Sequence, residues 1–402
     1  MGGGGARAAY QVGFLRALAR RCPRLQIPIV TGVSAGAINA AHLAAHPGPF
    51  EDAVEDLAAL WLSLRPERVF RVDARFLAWN AARWSLQLAS GGLLGKPDVR
   101  SLVDTSPLDR FLRRHLGEGP GPIAGIEENL RSGRLQAVAI STSSYTTGRS
   151  VTWVQGIGLE GWRRPRREAV AAPITVEHVM ASAALPLFFP AVEISGEWYG
   201  DGGIRQSAPL SPAVHLGAHR ILAISTRFEP TRREAELPMS TGYPPPAQVV
   251  GSLLNAVFLD LLDQDAWRLE KVNRLIAQIP SEARGELRPI DLLTLRPSRD
   301  LGQLAGELEF RLPFLFRYLV RGLGTRSTRS PDLLSFLLFE PGYIELLLEM
   351  GERDAEARWG ELEGILSPPE PPSPAGVRGA EGVKSEASAE PGGNRAVEPP
   401  PT

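Results

Sequence analysis

Ser34 sits in Gly32-Val33-Ser34-Ala35-Gly36, a G-x-S-x-G pattern. A serine hydroxyl is a weak nucleophile until a neighbouring base takes its proton. Acyl transfer also needs hydrogen-bond donors where negative charge develops. The β-branched run Ile27–Thr31 before the pattern and the alanine-rich stretch Ala35–His46 after it predict strand, sharp turn and helix. In that context the turn pushes the serine Oγ outward, and Gly32 and Gly36 remove Cβ atoms that would collide with neighbouring elements. The first N–H groups of the helix point at the same place and favour an anion there. Without the strand and helix, the pattern describes no more than a glycine-flanked turn.

A source of donors lies at the start of the chain. Gly2-Gly3-Gly4-Gly5-Ala6-Arg7-Ala8 precedes a helical stretch over Tyr10–Arg20. Successive glycines let main-chain N–H groups crowd round a phosphate or a tetrahedral oxyanion. A dinucleotide site would need a third spaced glycine and an acid about 20 residues later. Ala8 stands at the last glycine position and Arg20-Arg21-Cys22 where the acid should be, so no nucleotide is expected. The oxyanion reading matches the serine elbow; the remaining alternative is a flexible N-terminal segment. No residues before Met1 supply the strand that would feed such a loop. Either a strand is lost to a truncated start, or the loop is anchored differently.

For the base, Tyr199-Gly200-Asp201-Gly202-Gly203 places an aspartate in a glycine-rich turn. Alone, such an aspartate caps its own backbone. Paired with Ser34 and desolvated, its carboxylate gains the proton affinity of a general base. The rival is a Ser-Asp-His triad, whose histidine follows the acid in the chain, leaving His215 and His219. Both lie in Ser211–Arg220, which reads as a surface helix leading into a strand. His42 and His46 lie along the helix after Ser34 and are expected to point away from it. His115 and His178 have no evident partner. No His and carboxylate set has metal-ligand spacing, so neither metal nor cofactor is expected.

These groups need a frame, and residues 1–228 alternate β and α patterns, the signature of a sheet covered by helices. Buried strands are predicted at Leu135–Thr142 and Arg220–Thr226, and a small hairpin at Val192–Tyr199 around Ser195-Gly196. A helix is predicted over Thr175–Ala184, with Thr175 as N-cap and Pro186 as stop. Residues 229–248, with Pro230, Pro238 and Pro244-Pro245-Pro246, read as a linker or long loop. Residues 249–366 read as mainly helical, around 248–278, 301–323 and 331–364, with a strand at Asp291–Arg296 that returns to the sheet. The last stretch, 367–402, holds nine prolines and no aromatic residue, and is expected to be disordered.

Composition narrows the function classes. The 402 residues are 43% hydrophobic and 22% charged, with 44 basic against 45 acidic residues and a net charge of −1. That balance argues against a polyanion binder, so no nucleic-acid partner is expected. A single cysteine, Cys22, excludes an internal disulfide framework. No apolar run reaches the ~20 residues of a membrane span. The glycine-rich start has neither the pattern of a signal peptide nor the Ser/Thr of a myristoylation signal. The expectation is a cytoplasmic protein, soluble or peripheral at the inner face of the membrane.

Four motifs in order resemble those of the patatin-like phospholipases: Gly3-Gly4-Gly5-Ala6-Arg7, Gly32–Gly36, Ala181-Ser-Ala-Ala-Leu-Pro-Leu-Phe-Phe-Pro190, and Asp201-Gly202-Gly203. Tyr145–Ser150 also looks like a segment of bacterial members. The resemblance covers 1–228 well and 229–366 loosely. It implies a three-layer α/β/α sandwich, here with a mainly helical C-terminal extension, and a Ser-Asp dyad without histidine. Ser34 would be the nucleophile and Asp201 the base. The backbone of Gly3, Gly4 and Gly5 would form the oxyanion hole with Arg7 nearby, and Gly32, Gly36, Gly202 and Gly203 would support the motifs. Ala8, where the family often has glycine, is a departure.

The implied activity is hydrolysis of fatty-acyl esters of phospholipids or lysophospholipids through an acyl-enzyme. The alternatives are acyl transfer to another alcohol, or a non-catalytic lipid-binding scaffold. An acyl lipid is the expected partner. Arg311, Arg317 and Arg321, set among large apolar residues, offer a basic amphipathic surface for peripheral membrane contact. Phe336–Phe339 and Ile344–Leu348 are similarly apolar, and the favoured reading of all three stripes is the core face of a helical subdomain. Segment 67–96, with Phe70, Phe76, Trp79 and Trp84, reads as either a lid or ordinary packing.

Overall fold

The computed structural model describes residues 1–71, 82, 86, 89–90, 101–117, 119, 121–236, 242–312, 317–318, 321–322, 324–325, 328 and 330–367. Most of segment 67–96, including Phe76, Trp79 and Trp84, and all of the tail beyond Ser367 lie outside them.

The strand at the centre, β2 (Ala137–Ser144), is buried at every position. Its first half, Ala-Val-Ala-Ile, has no polar face, as a strand covered on both sides requires. One edge of β2 pairs antiparallel with β3 (Ser150–Gly156). Its other edge is shared. β1 (Ile29–Val33) pairs parallel with it from Ala137 to Ser141, and β7 (Glu197–Asp201) pairs antiparallel from Thr142 to Ser144. β5 (Arg167–Ala171) continues the sheet beyond β3 and carries the short β4 (Arg163–Arg164). β6 (Val192–Ile194) forms the expected hairpin with β7. Ser195 and Gly196, both at positive φ, make the two-residue turn that such a hairpin demands. Helices Ala35–Ala45 and Val176–Ser182 pack on this mixed sheet in an α/β/α sandwich.

Boundaries move where backbone chemistry dictates. β1 starts at Ile29 rather than Ile27 because Pro28 has no N–H for a ladder; its carbonyl instead accepts from the Gln136 and Ala137 amides. The expected strand Asp291–Arg296 is present as β9 (Asp291–Leu295). Its partner is β8 (Arg220–Ile224), in a parallel two-stranded sheet separate from the main one.

The first residues run along the outer edge of β1. The Met1 ammonium donates to the Thr31 carbonyl at 2.7 Å, and the Val33 amide donates to the Met1 carbonyl at 3.2 Å. The glycine loop is therefore anchored on the strand that carries Ser34.

The C-terminal helices are part of the same compact unit, which spans Met1–Ile365. Helix Pro341–Ala357 packs along helix Ala9–Arg21. Gly13 on one lies against Leu348 on the other, and Gly351 against Tyr10, so the two backbones are in direct contact. Phe336, Leu337, Leu338, Phe339, Ile344, Leu347 and Leu348 are all buried, so these stripes are core faces. Phe310 and Tyr318, in the arginine-bearing stretch, are exposed. Among the described residues no helix is long and apolar enough to cross a membrane.

Candidate active site

Ser34 follows directly on β1 and precedes helix Ala35–Ala45. Its φ of 56° is a conformation that non-glycine residues seldom adopt, and a strained elbow of this kind is held only by its surroundings. Those surroundings are specific. The Ser34 amide donates to the Ser182 Oγ at 2.9 Å, and that hydroxyl donates to the Ser141 carbonyl on β2 at 2.7 Å. A Cβ on Gly32 would come within 2.7 Å of Ala37 Cα and Ala40 Cβ, and one on Gly36 within 2.6 Å of the Met1 carbonyl. Both glycines permit the helix to sit against the strand and the N-terminal loop.

Strand register brings Asp201 to the same point. β1 and β7 approach one edge of β2 from opposite directions and end on consecutive β2 residues: Val33 lies opposite Ser141, and Asp201 opposite Thr142. The end of one strand therefore faces the end of the other. Gly202 seals the join, since a Cβ there would meet the Ser141 carbonyl and lie 2.8 Å from Val33 Cγ2.

Asp201 is completely buried, at 0% exposure. Its Oδ1 accepts from the Gly203 amide at 2.9 Å, while Oδ2 has no hydrogen-bond partner among the described residues. Burial pushes the carboxyl up to about 7; the Ser34 hydroxyl and the Gly203 amide pull it the other way. The serine thus lies close enough to act on the carboxyl, although no hydrogen bond of normal length joins them in the resting geometry. Such contacts commonly tighten only with substrate present.

The glycine loop lies on the other side of Ser34. A Cβ added to Gly3 would stand 2.8 Å from Ser34 Cβ and 3.4 Å from its Oγ. Gly4 and Gly5 have φ of 145° and 57°, which suits glycine. The Gly3 carbonyl accepts from Thr226 Oγ1 at 2.8 Å, and the Gly4 carbonyl from the Arg7 amide at 3.1 Å. In a planar trans peptide the next N–H points the opposite way. The Gly4 and Gly5 amides are therefore turned from these contacts, and neither finds an acceptor among the described residues. Gln11 adds a further brace: its Nε2 donates to the carbonyls of Gly2 (2.9 Å) and Ile224 (3.2 Å). Asn39 Nδ2 donates to Gln11 Oε1, and Trp61 Nε1 to Asn39 Oδ1.

Arg7, expected near the oxyanion hole, is buried, but its guanidinium is engaged elsewhere. Nε donates to Ser335 Oγ at 2.6 Å and Nη2 pairs with Asp332 Oδ1 at 2.6 Å. The group also lies 4.6 Å from the Phe336 ring centroid. No histidine hydrogen-bonds to Ser34 or Asp201. His42 holds the Ala53 carbonyl and His46 the Asp56 carboxylate. His115 bonds to the Phe111 carbonyl and His215 to Ser211. His178 caps its helix through Thr175, and His219 is exposed.

Sequence reasoning missed Gln11, Ser182, Thr226, Asp332, Ser335 and Phe336. Ser182 lay within a quoted motif. Gln11 lies in the helix just after the glycine loop, but nothing in its neighbours marks it as a brace, and Thr226, Asp332, Ser335 and Phe336 reach the site across a long stretch of chain.

Ser34 lines the wall of a small apolar cavity. Ile38, Trp61, Leu64, Phe111, Leu112 and Phe339 are among its walls. A strained serine, a buried carboxyl of raised proton affinity, unpaired glycine amides and an apolar chamber thus share one place.

The family model described as patatin-like phospholipase matches residues 1–214, more than half of the 402. No curated protein matches the chain. Among solved structures, it is similar to the crystal structure of VipD from Legionella pneumophila, with 13% identity and a TM-score of 0.31. That match covers 86% of this chain and 65% of VipD, so the chain spans less than two thirds of the VipD structure. With the matched residues carrying the serine elbow, the glycine loop and the Asp201 turn, the chain belongs to the patatin-like phospholipase family.

Proposed function

We propose that this protein is a serine lipid acyl hydrolase that cleaves fatty-acyl esters of phospholipids or lysophospholipids through Ser34 and Asp201. The observation that carries this reading is the meeting of β1 and β7 end to end on β2, which sets a buried carboxyl beside an elbow serine. Asp201 in its charged form takes the Ser34 proton as Oγ attacks the ester carbonyl. The Gly4 and Gly5 amides receive the negative charge on the carbonyl oxygen. Each such donor is worth about 2.7–4 kcal/mol in comparable acyl-transfer sites. Protonated Asp201 then gives its proton to the departing alkoxide as the C–O bond breaks, leaving an acyl-Ser34 ester. Water attacks that ester, Asp201 again accepts the proton, and the fatty acid leaves as Ser34 is restored. The apolar cavity beside Ser34 receives the acyl chain.

Leu187 supports an approach from a lipid surface. It is 67% exposed at a φ of 67°, and lies between Leu185 and Phe189, both of which line the cavity. We place the protein at the cytoplasmic face of a membrane, in peripheral contact through this rim.

Turnover of a chromogenic acyl ester tests the reading. Ser34→Ala should abolish it, and Asp201→Asn should nearly do so. A fluorophosphonate probe should label Ser34 alone. If His215→Ala or His219→Ala were as damaging as Asp201→Asn, the dyad would be wrong. Assay with and without an alcohol acceptor separates hydrolysis from acyl transfer.

A further inference from the structure

The cavity beside Ser34 has a wall that the matched family region does not contain. Phe336, Leu337 and Phe339 line it together with Ser34, yet they lie far beyond residue 214 in the chain. Resting on the acyl-hydrolase reading above, we propose that Phe336 and Phe339 determine which acyl chains this enzyme accepts, with Phe339 the adjustable part of the wall.

Three observations separate these side chains from general packing. First, the segment is tied to the loop at the reaction centre. Arg7, two residues past Gly5, is held by Ser335 and Asp332 at 2.6 Å each, and the Phe336 backbone lies directly against Gly5. Second, the Phe336 ring connects both halves of the site. It lies under the Arg7 guanidinium and 6.2 Å from the ring of Phe258, which itself lies where a Gly203 side chain would go, two residues from Asp201. Phe336 is thereby fixed. Third, Phe339 belongs to a separate aromatic set: its ring is 6.3 Å from Phe70, which is 6.1 Å from Phe189. Phe189 is only half-buried, so this set runs from the covered end of the chamber toward solvent. Phe336, Leu337 and Phe339 thus border the same cavity as Ser34, where an acyl chain on that serine would lie. Aromatic rings there limit length and bulk by occupying the space that further methylenes would need.

The full-length protein is assayed on p-nitrophenyl butyrate, octanoate and palmitate, and the readout is the ratio of kcat/KM between long and short esters. Phe339→Ala should raise that ratio roughly ten-fold or more, as one or a few methylenes gained in an apolar pocket would produce. Ala183→Leu, on the cavity wall beside Ser182, should lower it. Phe339→Leu should lie between Phe339→Ala and the wild type. Labelling of Ser34 by a small fluorophosphonate should stay at the wild-type rate in all three, which a general loss of structure would not allow. Should Phe339→Ala fail to fold, the Phe339→Leu and Ala183→Leu shifts decide. Ratios that stay constant while Ser34 labels normally overturn the assignment of the wall and leave the hydrolase reading intact. A wild type with no Ser34-dependent hydrolysis of any ester overturns both.

Discussion

At position 201 a single carboxyl carries opposite consequences for catalysis and for folding. Burial raises its pKa from 3.8 to about 7. The proposed base works only when charged, so kcat/KM should rise with pH through an apparent pKa near 7 and level off above it. A flat profile from pH 5 to 9 would count against Asp201 as the base. For stability the sign is reversed. Between pH 3.8 and about 7 the folded state keeps the proton that the unfolded chain releases, so stability falls as pH rises through that window. Asp201→Asn removes this penalty and should melt at a higher temperature than the wild type at pH 8, while losing nearly all turnover. Equal or lower melting of the variant at pH 8 would show that the carboxylate is better solvated than its burial implies. Gly3 is the other sensitive point: Gly3→Ala sets a methyl 2.8 Å from Ser34 Cβ, and should cut turnover at least ten-fold by displacing loop or nucleophile.

Among the elements, the short helix Val176–Ser182 shows how a histidine without catalytic duty is used. The Thr175 amide donates to His178 Nδ1 at 3.0 Å, a capping arrangement that needs the neutral ring as acceptor. The ring also lies 4.4 Å from Trp153, and burial lowers its pKa to about 4. Burial and the neighbouring His46 do the same for His42. Both residues therefore destabilise the fold in acid. The unfolded chain takes up their protons near pH 6.5, the folded one not until about 4, so stability falls as pH drops through that interval. Glutamine at the third helical position can reach back to the same amide. His178→Gln should keep the cap and lessen the loss of melting temperature between pH 6.5 and 4. An unchanged loss would assign the acid sensitivity to His42 alone. The same helix carries Ser182, whose hydroxyl joins the serine elbow to β2.

For the whole molecule, the helices beyond residue 228 complete the site as well as the core. Arg7 reaches Asp332 and Ser335, and the backbones of helices Ala9–Arg21 and Pro341–Ala357 touch at Gly13 and Gly351. Gly351→Val would drive a side chain into the Tyr10 carbonyl and the Phe14 amide. It should cost about 1–3 kcal/mol, as overpacking does, read as a lower urea midpoint. Because Tyr10 follows closely on the glycine loop, the variant should also lose activity in proportion to the folded fraction. Gly360→Ala, in a helix and with an added Cβ that meets nothing within 4 Å, should leave the midpoint unchanged or raise it.

Much of this was legible in the chain itself. The G-x-S-x-G spacing, the glycine run, the Asp-Gly-Gly turn and the alternation of β and α patterns are local signals. Local sterics dictate them: a serine forced to positive φ needs small neighbours, and a glycine loop needs freedom that no other residue has. Thr175 could be read as an N-cap for the same reason. The tertiary structure alone decided which of these local pieces meet. That β1 and β7 stop on Ser141 and Thr142 is a matter of register along one edge of β2, and register depends on pairing between strands far apart in the chain. Arg7 illustrates the limit. The family resemblance puts it near the oxyanion hole, yet its charge is balanced by Asp332, and that pairing exists only once the C-terminal segment has folded back onto the loop. Short-range sterics are written in neighbouring residues; burial, which sets the proton affinity of Asp201 and the shape of the cavity beside Ser34, is a property of the whole chain at once.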